Sequence, residues 1–588
     1  MLRLAPACAA VAVAACCPTM PGQATAPPRP AAAAAPTPGP PAPPPPDGAT
    51  ETLDEGTFVV SVKGQPVGRE RFAIRRGESI RVEHDSHLDI AGTALASRGS
   101  LTVGDDWKPR AGAWTSTIAG TQVEQTFAAG PPATLTVDTA GKKESIKAAR
   151  DIDYFLLDNA MIHLTPVCRL PPEATTRFVF PGMELKVGAA VPVPESAPGP
   201  DLVRRAVDLG GALAVDVYCQ RDRLLALDAP LQSLTAVREG SEALVAQARR
   251  KERTKPALPD GLAELPRKVA VPASAGVEAA SLDCSLLVPA THARLQARPT
   301  GDLKPLPAVV FLTGSGLQDR DEDSYGPGGL KLAIFKVMAI ELGKAGIASL
   351  RCDDRGSGAS TGDAAKVSLD SHLADAQAEI AALRAEPAID PAHIGLIGHS
   401  EGGIVAPLAA RKDRKLRALV LMAGTGRPID VILLEQVERS ARRAGLPHDK
   451  IDAELARYRA VLDAIRAGKP LPADVPEAER VQWESGRALF ASHMKSNPAA
   501  VARKLKRVAV FIAQGDKDQQ VAVADAEALR AAFTDAGNKK IEYKVYPDLN
   551  HLFAHSTTGN PSEYTDPDAV VDPGFLADVV RFLGKRLR

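Results

Sequence analysis

Between residues 51 and 255, apolar and polar positions alternate in short Thr- and Val-rich runs broken by Gly and Asp. The runs are Thr57–Lys63, Arg69–Arg75, Ser79–Asp85, Arg98–Val103, Gly112–Ile118, Gln122–Phe127 and Ala133–Asp138. A period of two sends every second side chain to one face, so these runs predict an antiparallel sheet or half-barrel. Leu156–Leu164 fits either a helix or a strand, and Phe178–Lys186 and Ala212–Tyr218 read as further strands. A charged stretch, Ala236–Lys255, predicts a helix, and the Pro-rich Pro256–Pro266 marks a boundary. From residue 268 to 588 the pattern changes to apolar strands alternating with helices, which predicts a mainly parallel sheet flanked by helices. The strands are Ala308–Thr313, Ala348–Arg351, His393–Ile397, Ala418–Met422, Val508–Ala513 and Glu542–Tyr546. The helices are Leu330–Ala345, Ser368–Glu386, Glu401–Arg411, Asp525–Ala536 and Pro573–Arg586. Residues 427–500 interrupt this alternation with two long charged amphipathic helices, Val431–Ala444 and Lys450–Ala467.

The first fifty residues do not belong to either pattern. Residues 1–17 carry one early cation, Arg3, and then small apolar residues, the form of a secretory signal. They end in Val13-Ala14-Ala15-Cys16, which resembles the lipobox of bacterial lipoproteins. That resemblance implies export across the inner membrane and attachment through a lipidated Cys16, in the periplasm or at a membrane. An ordinary cleaved signal is the alternative. Residues 18–50 are dominated by Pro and Ala and predict an extended tether, because such a segment cannot bury a core. Past this region there is no apolar run of about eighteen residues, so the sequence predicts no internal membrane helix. Basic and acidic residues balance at 71 each, which argues against a nucleic-acid partner. Seven cysteines are too few for a disulfide scaffold in 588 residues. Cys168 and Cys219 are candidates to pair in an oxidising compartment, while Cys284 and Cys352 read as buried thiols. There is no CxxC and no His/Cys ligand spacing, so no metal and no cofactor is expected.

The chemistry concentrates in Ile394-Gly395-Leu396-Ile397-Gly398-His399-Ser400-Glu401-Gly402-Gly403. A strand runs into Gly-x-Ser-x-Gly and then into a small-residue helix. A serine hydroxyl is a weak nucleophile without geometric help and a base. The strand-to-helix elbow holds Ser400 in a strained backbone conformation, and the glycines leave room for the turn. The helix that follows directs its dipole and the Glu401 amide toward a developing oxyanion.

With these residues the chain resembles the α/β-hydrolase superfamily over about residues 270–588. More narrowly, it is similar to a bacterial serine esterase branch related to the prolyl-oligopeptidase-like and dienelactone-hydrolase-like groups. Three motifs carry the resemblance: Gly314-Ser315-Gly316-Leu317-Gln318-Asp319-Arg320-Asp321, Asp353-Asp354-Arg355-Gly356-Ser357-Gly358-Ala359-Ser360, and Gly398-His399-Ser400-Glu401-Gly402-Gly403. Thr313 stands where that family often has His. The resemblance implies an α/β-hydrolase fold with a helical cap at 427–500, preceded by the β-rich domain. It implies Ser400 as nucleophile, Asp518 as acid with Asp516 as fallback, and His551 as base with His555 as rival, in the chain order usual for this fold. It implies oxyanion amides from Glu401 and Leu317, with Gly316 next in line. Asp319, Arg320 and Asp321 are expected to pair with Arg355 and hold the oxyanion loop. His399 is expected to point into the fold as a hydrogen-bonded core residue, and His84, His87 and His163 to serve packing.

The expected activity is cleavage of a small-molecule carboxylic ester through an acyl-enzyme. A peptidase or amidase of the prolyl-oligopeptidase type is disfavoured, because residues 51–255 are too short for a propeller and show no blade period. A thioesterase shares the acyl chemistry, and a non-catalytic envelope binding lipoprotein is the alternative from a different class. The opening Gly64 to Gly68 turn, with Arg69-Glu70-Arg71-Phe72, resembles bacterial envelope proteins with an open, curved sheet. For the β-rich domain this leaves two roles: gripping an apolar ligand, or docking and stabilising.

Overall fold

The structure, a computed structural model, describes residues 51–588 apart from 63, 91–92, 119, 158–159, 194–201, 212, 250–253, 296–302, 324–331, 476 and 567. The signal, the tether and Cys16 therefore lie outside the described residues.

Alternation dominates the first half. Eight strands, from Glu51–Val62 to Lys142–Lys147, pair in chain order as an antiparallel meander within a 15-stranded sheet. Ile80–Ile90 shows why, because its residues are buried and more exposed in turn along the strand. The first strand has a second neighbour, Leu234–Arg238, which joins the meander to Arg223–Ala229, Leu213–Gln220, Leu202–Leu209, Met183–Val187 and Thr175–Val179. One apolar cluster on this sheet gathers Trp114, Phe127 and Phe180 around Phe155 and stacks Phe58 on Phe72. Trp114 stacks on Phe155 at 4.9 Å between ring centroids. Leu156–Leu164 forms neither a long helix nor a strand: only Met161–Leu164 makes a helical turn. Glu70 caps that turn, accepting from the amides of Met161 (2.6 Å) and Ile162 (3.1 Å). Burial pushes the Glu70 carboxyl up to about 8.

Two local expectations are corrected. The helix expected over Ala236–Lys255 is a strand, Leu234–Arg238, followed by a short helix, Glu242–Ala248. Long-range pairing with Glu51–Val62 overrides local helix propensity, and the buried Arg238 guanidinium binds Asp54 at 2.9 and 2.8 Å. Phe178–Lys186 is two strands, because the chain turns back at Pro181-Gly182.

The second half builds an eight-stranded sheet. Its strands are β1 (Leu262–Val271), β2 (Ala280–Pro289), β3 (Leu306–Leu312), β4 (Ala348–Cys352), β5 (Ile389–His399), β6 (Ala418–Met422), β7 (Ala509–Gly515) and β8 (Ile541–Tyr546). Their spatial order is β1-β2-β4-β3-β5-β6-β7-β8. The hairpin β1/β2 is antiparallel, β2 meets β4 antiparallel, and β4 through β8 run parallel. This is the arrangement of the α/β-hydrolase fold. The hairpin escaped the sequence pattern because Pro266 lies inside β1; a proline is tolerated there because β1 is the sheet edge.

Helices α1 (Ile334–Lys344), α2 (Leu369–Ala385) and α3 (Gly402–Lys412) follow β3, β4 and β5. An insertion between β6 and β7 holds α4 (Ile429–Arg443), α5 (His448–Arg466), α6 (Glu477–Ser485), α7 (Arg487–Met494) and α8 (Pro498–Ala502). Helices α9 (Val523–Asp535) and α10 (Pro573–Arg586) complete the layers. Neighbouring strand residues go to opposite faces: Val309 and Phe311 pack under α1 and α10, Val310 and Leu312 under α2, α3 and α9. The insertion has its own core, including Leu433, Tyr458, Leu462, Trp483 and Phe490.

Two disulfides are present among the described residues. Cys168 pairs with Cys219, and Cys284 pairs with Cys352. The second corrects the reading of Cys284 and Cys352 as thiols: they sit directly opposite on β2 and β4, with Cα atoms 3.9 Å apart. Among the described residues no helix is long and apolar enough to cross a membrane.

Candidate functional site

Parallel strands end on one edge of the sheet, and the loops beyond β3, β5, β7 and β8 converge there. β5 delivers Gly398 and His399 buried and then turns at Ser400, whose φ of 52° lies in the left-handed region. A side chain rarely accepts that conformation, so the elbow is a strained device that presents the serine. Close packing fixes it: a Cβ on Gly398 would overlap the Gly402 carbonyl, and one on Gly402 would overlap the carbonyl of Leu312 at the end of β3. The Ser400 amide is tied to the Met422 carbonyl at the end of β6 (2.9 Å).

Asp518 follows β7 and His551 follows β8. The His551 Nδ1 donates to Asp518 Oδ2 at 2.8 Å, and the two side chains are 5% and 0% exposed. Asp518 also accepts from the Gln520 and Val521 amides (2.8 and 2.9 Å) and from Gln514 Nε2 (2.9 Å). Burial alone would raise its carboxyl; the His551 ring beside it and the two amides instead hold it below the usual range. Asp516 is turned away and accepts from the Asp548 amide (2.7 Å). His555 is exposed and faces Asp572 at 3.3 Å. The structure thus brings Asp518 and His551 together and leaves their rivals apart.

His399 joins three loops. Its Nδ1 meets Glu322 Oε1 at 2.7 Å and its Nε2 meets the His551 carbonyl at 2.9 Å. The same Glu322 oxygen accepts from the Gly314 amide (2.8 Å). Burial works against charge on His399, but the Glu322 carboxylate outweighs it and raises the imidazole. Glu322 was missed in the sequence, although it is the residue immediately after the Asp319-Arg320-Asp321 motif. Its signal is spatial: a carboxylate under the elbow.

The loop after β3 is held by charges, but not the expected ones. Arg355 pairs with Asp375 through Nε at 3.1 Å, not with Asp319–Asp321. Arg320 bridges to Asp353 (2.9 Å) and Asp283, while Asp321 binds the buried Arg351 and Lys255 (2.8 Å). Arg355 is too far along its loop, beside α2, and Lys255 arrives from outside the motif. Thr313 donates to Asp354 Oδ1 (2.5 Å), and the Gln318 amide to Asp354 Oδ2 (2.8 Å). Burial holds that carboxyl well above its usual range. Leu317 sits half-buried in this loop, while Ser315 is the loop residue lining the cleft beside Ser400.

That cleft lies between the sheet edge and the insertion. Ser400, Glu401 and Ile404 form one wall, and Ile429, Ile432 and Gln436 of α4 with Leu489, Phe490 and His493 of α7 form the other. Glu401 carries two features. Its residue begins the turn into α3, and its buried carboxylate pairs with His493 (2.7 Å) of α7 and His372 (3.5 Å) of α2. Burial would raise that carboxyl; the two imidazoles hold it below its ordinary value. Among the described residues no group of three or more His, Cys, Asp or Glu side chains is arranged to hold a metal ion.

Residues 332–557 match the family model described as Hydrolase_4, serine aminopeptidase, S33. The match runs from α1 to the loop that carries His551, including the insertion, and takes in none of the first sheet. No curated protein matches the chain. Solved structures that align with part of this chain include an esterase of Pyrococcus furiosus, 17% identical, aligned over 56% of this chain and 92% of that one at a TM-score of 0.34. A hydrolase from Agrobacterium vitis S4 is 17% identical over 55% of this chain and 99% of that one, at 0.33. An α/β hydrolase from a Penicillium species gives 17%, 55%, 99% and 0.33.

Proposed function

We propose that the chain is a serine hydrolase that cleaves carboxylic esters, with Ser400 as nucleophile, His551 as base and Asp518 as its orienting acid. The observation that carries this reading is the buried His551–Asp518 pair at 2.8 Å, on loops that converge with the strained Ser400 elbow. Asp518 holds the His551 Nδ1 proton, which leaves Nε2 free to take the Ser400 proton. Ser400 then attacks the acyl carbon. The Glu401 amide and an amide of the Ser315–Leu317 turn hold the oxyanion; Leu317 is the donor expected from sequence, and Ser315 is the one beside the cleft. His551 protonates the departing alcohol, then activates the water that releases the acid. The insertion acts as a cap that excludes bulk water from this step.

Ser400→Ala should abolish p-nitrophenyl acetate turnover, by about 10⁴-fold or more, and remove labelling by a fluorophosphonate. Retained turnover would disprove the assignment. The family description favours one second reading, hydrolysis of an N-terminal peptide bond. An amino-acyl p-nitroanilide, tested beside the ester, distinguishes the two by which has the higher kcat/KM. The sequence of residues 1–17 supports placing this activity at the cell envelope, attached through Cys16.

A further inference from the structure

The cleft beside Ser400 is apolar except for a few polar groups, and most of those are already engaged. Glu401 is taken up by His493 and His372. Two atoms are left over. Thr425 is 5% exposed and Gln436 is 8% exposed, both line the cleft, and Thr425 Oγ1 and Gln436 Oε1 have no hydrogen-bond partner. The Gln436 orientation is set by its other end: Nε2 donates to the Gln520 carbonyl at 2.9 Å, two residues past Asp518, which leaves the oxygen as the unspent group. A carboxamide oxygen can only accept. Leaving two buried polar atoms unmatched is costly, so a cleft built this way is matched to a group that supplies a donor.

The cleft also has a side. In ester cleavage the leaving alcohol must sit where the imidazole can protonate it, yet His551 is not among the residues that line this cleft. Ser400, Ser315 and Glu401 are. A cleft lined by Ser400, Ser315 and Glu401 suits the part of the substrate that stays on the serine.

We propose that the acyl group of the substrate carries a hydrogen-bond donor, a hydroxyl or an amide N–H, that meets Gln436 Oε1 and Thr425 Oγ1 within a short apolar slot. This rests on the serine-hydrolase reading and adds the substrate class to it. Discrimination follows from the unpaired acceptor: a donor-less isostere fills the same space but leaves Gln436 Oε1 buried and unmatched.

The test uses the intact protein and two matched pairs of p-nitrophenyl esters, each corrected for spontaneous hydrolysis. One pair is 3-hydroxybutyrate against 3-methylbutyrate; the other is N-acetylglycinate against 4-oxopentanoate. Active sites are counted by fluorophosphonate labelling of Ser400. In the natural protein kcat/KM should favour the donor-bearing member of at least one pair by about tenfold. Gln436→Leu and Thr425→Val should each bring that ratio down toward one. Ratios near one in both pairs, or a ratio unmoved by both substitutions, would overturn the proposal, with a resident water then satisfying the two atoms. Labelled Ser400 without a preference removes only this inference, whereas an unlabelled Ser400 removes the hydrolase reading beneath it as well.

Discussion

His399 illustrates how a single side chain can hold a site together. A neutral imidazole has one N–H, yet both ring nitrogens of His399 face acceptors, Glu322 Oε1 and the His551 carbonyl. Only the imidazolium satisfies both, with Glu322, 1% exposed, as counter-ion. Removing one partner of such a buried pair costs about 3 kcal/mol or more. Glu322→Gln should therefore lose about that much stability in urea unfolding. The pH dependence has a definite sign. The His399 value is raised in the folded protein, so its contribution is full below the unfolded value of 6.5 and is lost as pH rises through the raised folded one. The stability gap between natural protein and variant should be widest near pH 6 and shrink toward alkaline pH. A gap that widened with pH would contradict the imidazolium.

At the level of elements, the decisive contact is between α7 and the elbow. His493 reaches from the insertion to the carboxylate of Glu401, the residue after Ser400, so α7 and the start of α3 are held by one buried hydrogen bond. His493→Ala leaves Glu401 only the longer contact to His372. We predict about a tenfold fall in kcat/KM for the test ester and faster tryptic cleavage within 427–500, both readable on the purified variant. Because the Glu401 value is depressed, the stability it brings is present above its unfolded value of 4.5 and lost as pH falls through the depressed one. The thermal midpoints of natural protein and variant should therefore converge below about pH 4.5. Unchanged proteolysis and kinetics would show that α7 is positioned by its apolar contacts alone.

Across the whole molecule, the β-rich sheet touches the α/β half at a specific place. Ser562 donates to Asp208 at 2.9 Å, and Asn560 packs against Gly211 and accepts from Arg443 of α4 at 3.1 Å. The segment that carries Ser562 begins just beyond His551, and the Tyr564 hydroxyl accepts from Gln520, in the loop that carries Asp518, at 3.1 Å. The first sheet is thus braced against the segment that follows His551. Both disulfides suit an exported protein, because such bonds persist in oxidising compartments. If Cys16 is the attachment point, Cys16→Ala should move the protein from the membrane fraction to the soluble one on cell fractionation. An unchanged distribution would leave the signal as an ordinary cleaved one.

Ser400, Asp518 and His551 could be named as candidates from the chain because each stands in a local motif at the end of an apolar strand, and strand ends are where this fold gathers its loops. Period-two alternation likewise revealed the first sheet, and strand–helix alternation the second. Local pattern carries no information about distant partners, however, and that is where the sequence stopped. Glu322 beneath His399, His493 on Glu401, Lys255 and Arg351 on Asp321, Cys284 opposite Cys352, and Leu234–Arg238 beside the first strand all join segments far apart in the chain. Nor does a sequence state which polar atoms remain unpaired: Thr425 and Gln436 are ordinary residues until packing removes water from them. Strand and motif are short-range consequences of side-chain order, whereas pairing, charge compensation and the shape of the cleft exist only once the chain has closed on itself.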